Sequence, residues 1–251
     1  MKQGYLERES ARMNKEVRKT LVKATIVFVC ATAVIYFLGR SSIDFTDLSV
    51  GSIPFIMVVL AGIVAVSLVI NFLATSRTAV NGSNLYLPYG DRTQEEAGKI
   101  IDREALEGNI LVEEFIDEFK EPKKAYGEKV VLTPSYLLIC GIKGGLRNAN
   151  ITAIPRDKIY WICAQAGFKG GPFIVRLLIF TENKVYSLTG TDIKYVEGIA
   201  DKFYQYIPNI FSEYDPFVLS YKLEEIFKNN PADFLAICEE EKNKSDDGSI
   251  E

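Results

Sequence analysis

Histidine is absent from all 251 residues of the chain. Without an imidazole there is no His-ligated metal site, no Ser-His-Asp triad and no Cys-His dyad. Cysteine is scarce: four residues at 30, 140, 163 and 238, none close enough to another to make a Cys-x-x-Cys pair. That spacing reads as reduced, mostly buried thiols, not as a disulfide or zinc framework. A strong charge bias is missing too. The net charge is −4 and no long basic block follows Lys23, which argues against a nucleic-acid binder. No paired carboxylates fall on defined elements in the way acid–base catalysis needs. These absences leave no catalytic, metal or cofactor signature, and the chain is expected not to be an enzyme.

What is present divides unevenly. The stretch "VFVCATAVIYFLG", Val27 to Gly39, has no charged side chain, and "IPFIMVVLAGIVAVSLVINFLA" starts at Ile53. An apolar helix needs about 20 residues to cross a bilayer core. The second run meets this. The first meets it once Thr20, Leu21, Val22 and a snorkelling Lys23 are added. The reading is a membrane helical hairpin: a basic segment at 1–19, transmembrane helices at 20–39 and 53–74, and a connector at 40–52. Lys2, Arg8, Arg12, Lys15, Arg18, Lys19 and Lys23 precede the first run, whereas the connector holds Arg40 with Asp44 and Asp47. The positive-inside rule then places both termini in the cytoplasm and the connector outside. Neither run carries Asp, Glu, Arg or Lys at its centre, so the pair reads as an anchor and not as a conduit. The expected location is the plasma (inner) membrane, in two passes.

The remainder has the mixed composition of a globular domain. Residues 75–127 read as a linker and helical segment, with a short extended piece at Leu85 to Leu87. Thr93 and Glu96 have capping-box spacing. "ILVEEFIDEFK" places Ile110, Val112, Phe115, Ile116 and Phe119 on one face of a second helix ended by Pro122. From Lys129 the period changes. "KVVLT", "YLLICG", "ITAIP", "KIYWICAQ", "FIVRLLIF" and "KVYSLT" are short β-rich runs bounded by turn residues, an antiparallel meander. "TDIKYVEGIADKFYQYI" follows as an amphipathic helix capped at Thr191. This α+β region spans 128–208. Helices begun by Asp215-Pro216 and Asn230-Pro231 occupy 209–242, and a polar, disordered tail fills 243–251.

Leu132, Thr133, Ile154, Pro155, Ile159 and Trp161 lie in two short phrases, "LTPS" and "IPRDKIYW". With the following helix and the two apolar runs, they resemble bacterial pleckstrin-homology-like membrane proteins of unknown function, of the Firmicute type. The resemblance covers roughly residues 125–240. It implies an antiparallel pleckstrin-like sheet or partial barrel with C-terminal helices. Six strands precede the helix in this reading, where a full pleckstrin fold has seven. The family implies no reaction, cofactor or ligand.

The glycine-rich loops "GIKGGLRN" and "GFKGGP" are hairpin turns in the first reading. In the second, Lys143, Arg147 and Lys169 touch anionic lipid headgroups. The sole tryptophan, Trp161, is expected in the core. The function expected is a two-pass membrane protein presenting a pleckstrin-like module for protein docking or membrane-state sensing. Alternatives are a headgroup-binding module and an accessory subunit of a membrane transporter. Expected partners are the bilayer, an unidentified membrane or cytoplasmic protein and, optionally, a second copy of the chain; nucleic acid is not expected.

Overall fold

The computed structural model describes residues 4–13, 15, 22–23, 26–27, 30, 62, 85–90, 92–117, 128–142, 149–168, 171–211 and 215–247. Contacts divide the chain into two compact units. One comprises Met1–Leu6, Leu85–Gly141 and Ile151–Glu251; the other comprises Glu7–Asn84 and Ile142–Asn150. In the second unit the helical residues 7–13 carry an Arg12–Glu9 ion pair of 2.9 Å, one turn apart. The first unit holds the body of the strands and the helices that pack on them.

Strand β1 (Leu85–Tyr86) precedes helix α1 (Gln94–Leu106). The capping box forms: Glu96 N–H donates to Thr93 Oγ1 at 3.3 Å, and Thr93 N–H donates to Glu96 Oε2 at 3.0 Å. These bonds satisfy two of the donors that a helix start leaves without intrahelical partners. Seven more strands succeed it: β2 (Val112–Phe115), β3 (Lys129–Leu132), β4 (Tyr136–Ile142), β5 (Ala149–Pro155), β6 (Ile159–Phe168), β7 (Phe173–Thr181) and β8 (Val185–Gly190). They form a five-stranded sheet, β1-β5-β4-β3-β2, and a three-stranded sheet, β6-β7-β8. The first sheet is mixed, because β1 runs parallel to β5 whereas β2, β3 and β4 pair antiparallel. The second is antiparallel throughout. Helices α2 (Ile193–Tyr204), α3 (Leu219–Asn229) and α4 (Pro231–Asp247) complete the unit.

The apolar runs of β6 and β7 are continuous because both faces of their sheet are buried. Ile162, Ala164 and Ala166 of β6, with Val175, Leu177 and Ile179 of β7, join a core that includes Val130, Leu132, Leu137 and the α2 stripe Val196, Ile199, Ala200 and Phe203. Their neighbours Trp161, Cys163, Leu178 and Phe180 point the other way, into a second core with Leu223, Phe227 and Phe234 of α3 and α4. Strand period 2 sorts the two sets. Each large apolar side chain taken out of water contributes about 1.5–3 kcal/mol. Gly190 lets β8 end against its neighbours. A Cβ there would sit 2.6 Å from Val196 Cγ2 and 3.2 Å from the Ile116 carbonyl oxygen.

On the second face, beyond Trp161 and Cys163, β6 presents Gln165 and β7 presents its register partner Arg176. Helix α3 answers with Glu224, which is buried. Gln165 Nε2 donates to Glu224 Oε2 at 3.1 Å, and Arg176 Nη2 stands 3.3 Å from the same oxygen. Arg176 also donates to Gln165 Oε1, and Lys228 pairs with Glu224 from one turn along α3. Burial pushes the Glu224 carboxyl up, but the bonds from Lys228 and Gln165 and the Arg176 charge outweigh it. The carboxyl therefore lies below the ordinary value of 4.5.

Several expectations are corrected. The spanning helices expected at 20–39 and 53–74 lie outside the described residues, save for isolated helical positions at 22–23, 26–27, 30 and 62. Among the described residues no helix is long and apolar enough to cross a membrane. The longest described helix, α4, has 17 residues and carries the run Glu239, Glu240, Glu241, Lys242. A spanning helix needs about 20 predominantly apolar residues. The described residues therefore give no support to the membrane hairpin as fold class, to the transmembrane and multi-pass character, or to the two-pass plasma-membrane location with cytoplasmic termini; what they show instead is two sheets and helices none of which is long and apolar enough to span a bilayer. The single antiparallel sheet or partial barrel gives way to the two sheets above.

The helix expected around Ile110–Phe119 is, in its described part, strand β2 at the edge of the larger sheet, with Val112 opposite Leu132 and Phe115 opposite Lys129. Val112 and Ile116 both enter the first core. A spacing of four puts two residues on one face at either period, 3.6 or 2, so the pattern was ambiguous. Edge pairing decided it, aided by Lys202, which reaches Glu114 at 2.5 Å. The cap of α2 is Asp192, whose Oδ1 accepts from Tyr195 N–H at 2.8 Å, not Thr191. Helix α3 starts at Leu219, later than Asp215-Pro216 implied. Asp215 Oδ1 instead accepts from Phe217 N–H at 2.7 Å, and the Pro216 carbonyl accepts from Ala166 N–H of β6 at 3.1 Å.

Candidate functional site

The phrases "LTPS" and "IPRDKI" are about 20 residues apart in sequence and adjacent in space, because Arg156 N–H donates to the Ser135 carbonyl at 3.0 Å. Between them opens a groove of about 530 Å³. One wall is the β3–β4 turn, Pro134 to Tyr136. The second is the end of β5 and its 3-10 turn, Pro155 to Asp157. The third is the chain leaving α2, Tyr206 to Pro208. Arg92 closes the rim from the N-terminal side of α1.

Each wall is held by local chemistry. Thr133 is fully buried; its Oγ1 accepts from Tyr136 N–H at 3.1 Å and donates to the Tyr136 carbonyl at 3.2 Å, clamping the turn. Ser135 Oγ donates to Glu104 Oε1 at 2.5 Å, which ties the turn to the buried side of α1. Arg156 Nη2 donates to the Tyr206 carbonyl, tying the 3-10 turn to the end of α2. Arg92 Nη1 donates to Tyr136 Oη at 3.3 Å. Proline on all three walls adds stiffness, since its φ is preset.

The groove's charge is uneven. Arg92 and Arg156 contribute two guanidinium groups and Asp157 one carboxylate. Among the described residues no carboxylate forms an ion pair with either arginine. At longer range Arg92 helps to hold Glu96 below the usual carboxylate range, after the hydrogen bonds from Thr93. Pro134, Pro155, Tyr206 and Pro208 supply the accessible apolar surface, over a floor of buried Tyr136, Ile159 and Ile207. Such a lining can bind and orient a ligand through guanidinium N–H donors and ring contacts. The one aliphatic hydroxyl of the lining, Ser135, is hydrogen-bonded to the Glu104 carboxylate. Among the described residues no cluster of Cys, Asp and Glu is placed to hold a metal ion.

Lys143, Arg147 and Lys169 lie outside the described residues. Flanking Lys169, Phe168 and Phe173 stand edge to face at the tip of β6–β7, 5.3 Å between centroids. Trp161 is fully buried, where the sequence pointed; its Nε1 donates to Asn209 Oδ1 at 2.9 Å, and Phe211 packs edge-on at 4.7 Å. Sequence reasoning passed over Arg92, Tyr136, Arg156 and Tyr206. A signal was there: Arg156 sits inside the phrase "IPRDKIYW" and Tyr136 directly follows "LTPS".

Comparison with protein-family models, with curated proteins and with solved structures gives no match. The resemblance to pleckstrin-homology-like proteins therefore rests on sequence features alone: those two phrases, the helix after them, the two apolar runs and the ending "LEEIFKNNPADFL".

The four cysteines form no disulfide with one another: Cys140, Cys163 and Cys238 are buried and Cys30 is exposed. Burial pushes the Cys163 thiol well above its ordinary value and the Cys238 thiol up to about 12. Thiolate is the reactive form, so these two are inert at neutral pH. Titration of the native chain with a chromogenic disulfide at pH 8 is expected to release one fast equivalent, from Cys30, and three more after unfolding. Two or more fast equivalents would place a core thiol at the surface.

Proposed function

We propose that the chain is an interaction protein that docks a short extended segment of a partner protein in the groove between the Pro134–Tyr136 turn, the Pro155–Asp157 turn and Tyr206–Pro208. The supporting observation is the groove itself. Its walls come from three separate segments, each tied by its own hydrogen bond, so the recess exists before any ligand arrives. A preformed cleft avoids the ordering cost of binding. Its volume falls within the roughly 300–1,000 Å³ typical of ligand clefts, which suits a few residues of peptide, not a whole helix pair. The run of seven strands, β2 to β8, followed by α2 is in keeping with a pleckstrin-like module.

The test uses a photo-crosslinking residue. Benzoylphenylalanine at Pro208, exposed on the groove rim, should give a discrete adduct with a partner in cells. The same residue at Lys222, exposed on α3, should not. Equal labelling from both sites, or none from Pro208, would remove the groove as the docking site.

A further inference from the structure

We infer that the segment taken by the groove is acidic, with one Asp or Glu carboxylate held between Arg92 and Arg156. This rests on the docking reading above and names its ligand chemistry. Each arginine spends one donor on the protein: Arg92 on Tyr136 Oη and Arg156 on the Tyr206 carbonyl. A guanidinium carries five N–H donors in a planar fork, so both retain donors for a carboxylate. The tethers fix where those donors sit. They also lower the entropy lost when a ligand is bound, because neither side chain must be immobilised afresh.

Charge complementarity carries the choice of ligand. The chain as a whole is acidic, at −4, yet this recess holds two cations against one anion, Asp157. A single carboxylate balances that excess. A phosphate, with about two negative charges, overshoots it and faces repulsion from Asp157. The exposed rings of Pro134 and Pro208 on the groove ask for an aliphatic or aromatic neighbour beside the acid. With one proline on each wall, no wall offers an uninterrupted row of backbone N–H groups for ladder bonds to an added strand. Side chains and the acid must supply the recognition.

The test selects a phage-displayed library of random heptapeptides on the full chain. Asp or Glu should be enriched at one position, beside an apolar residue. Binding of the best clone should fall about tenfold or more in Arg92→Gln, the loss expected for one charge-assisted contact. Arg92 is exposed, so this variant should melt with the parent. Binding should also weaken as salt rises, and Arg92→Lys should recover only part of it. Three outcomes overturn the inference. Peptides that lack an acid but are lost in the groove-filling Pro208→Trp leave docking standing and refute the acidic ligand. A phosphoserine version of the best clone that binds tighter than its Asp form makes the ligand a phosphopeptide. Failure to select any peptide removes both readings.

Discussion

Trp161→Ala is expected to destabilise the first unit by about 3–5 kcal/mol, the range for truncating a large buried aromatic side chain. The site has little room to adapt. The indole is fully buried and lies 5.4 Å from the Phe180 ring and 4.7 Å from Phe211. Phe180 in turn stacks on Phe234 at 4.7 Å, and Phe234 meets Phe227 at 5.4 Å. Removing the indole opens a cavity between Phe180 and Phe211 and leaves Asn209 without its donor. At about 2–4 °C per kcal/mol for a domain of this size, melting should fall by roughly 6–20 °C. Trp161→Phe should recover most of the packing but not the bond to Asn209. Loss of about 0.5 kcal/mol or less in the Ala variant would refute the two-faced core, because it would mean that α3 and α4 do not cover the sheet.

Glu224→Ala should cost a similar amount for an electrostatic reason. It would leave Arg176 and Gln165 in the interior without their carboxylate, and breaking one member of a buried ion pair typically costs about 3–5 kcal/mol. Replacing both members with apolar residues, Arg176→Met with Glu224→Leu, should cost far less than Glu224→Ala, since no charge is then stranded. A double variant as unstable as the single one would show that the network positions α3 in a way apolar contact does not replace. The pH dependence has a defined sign. The folded carboxyl lies below its ordinary 4.5, so the unfolded chain binds the proton more readily. The stability it contributes is fully present above the unfolded value and is lost as pH falls through the folded value. The stability gap between the parent and Glu224→Gln should therefore be flat above about pH 5.5, a unit above that value, and shrink below pH 4.5. A gap that grows on acidification would reverse this assignment.

Local pattern by itself determined much of the first unit. The six β-rich runs from Lys129 to Thr189 correspond to β3 through β8, and the stripe Val196, Ile199, Ala200, Phe203 is the buried face of α2. Period and turn chemistry act within a few residues, so they can be read from a single sequence. The capping box at Thr93 and Glu96 is legible for the same reason: both partners lie within one helical turn.

Only the tertiary structure decided what local pattern left degenerate. Val112 and Ile116 fit a helix or a strand equally, and pairing with β3 chose the strand. Asp215-Pro216 has the look of a helix start, but the Pro216 carbonyl was claimed by Ala166 of β6. The groove belongs wholly to this second kind. Arg92, Tyr136, Arg156 and Tyr206 come from four separate segments, and no local rule brings them together. Their meeting depends on Arg156 N–H reaching the Ser135 carbonyl and on α2 running back to deliver Tyr206. Hydrogen-bonding groups distant in the chain find each other only once the two cores have closed, and that closure placed the cations of an acidic chain around one recess.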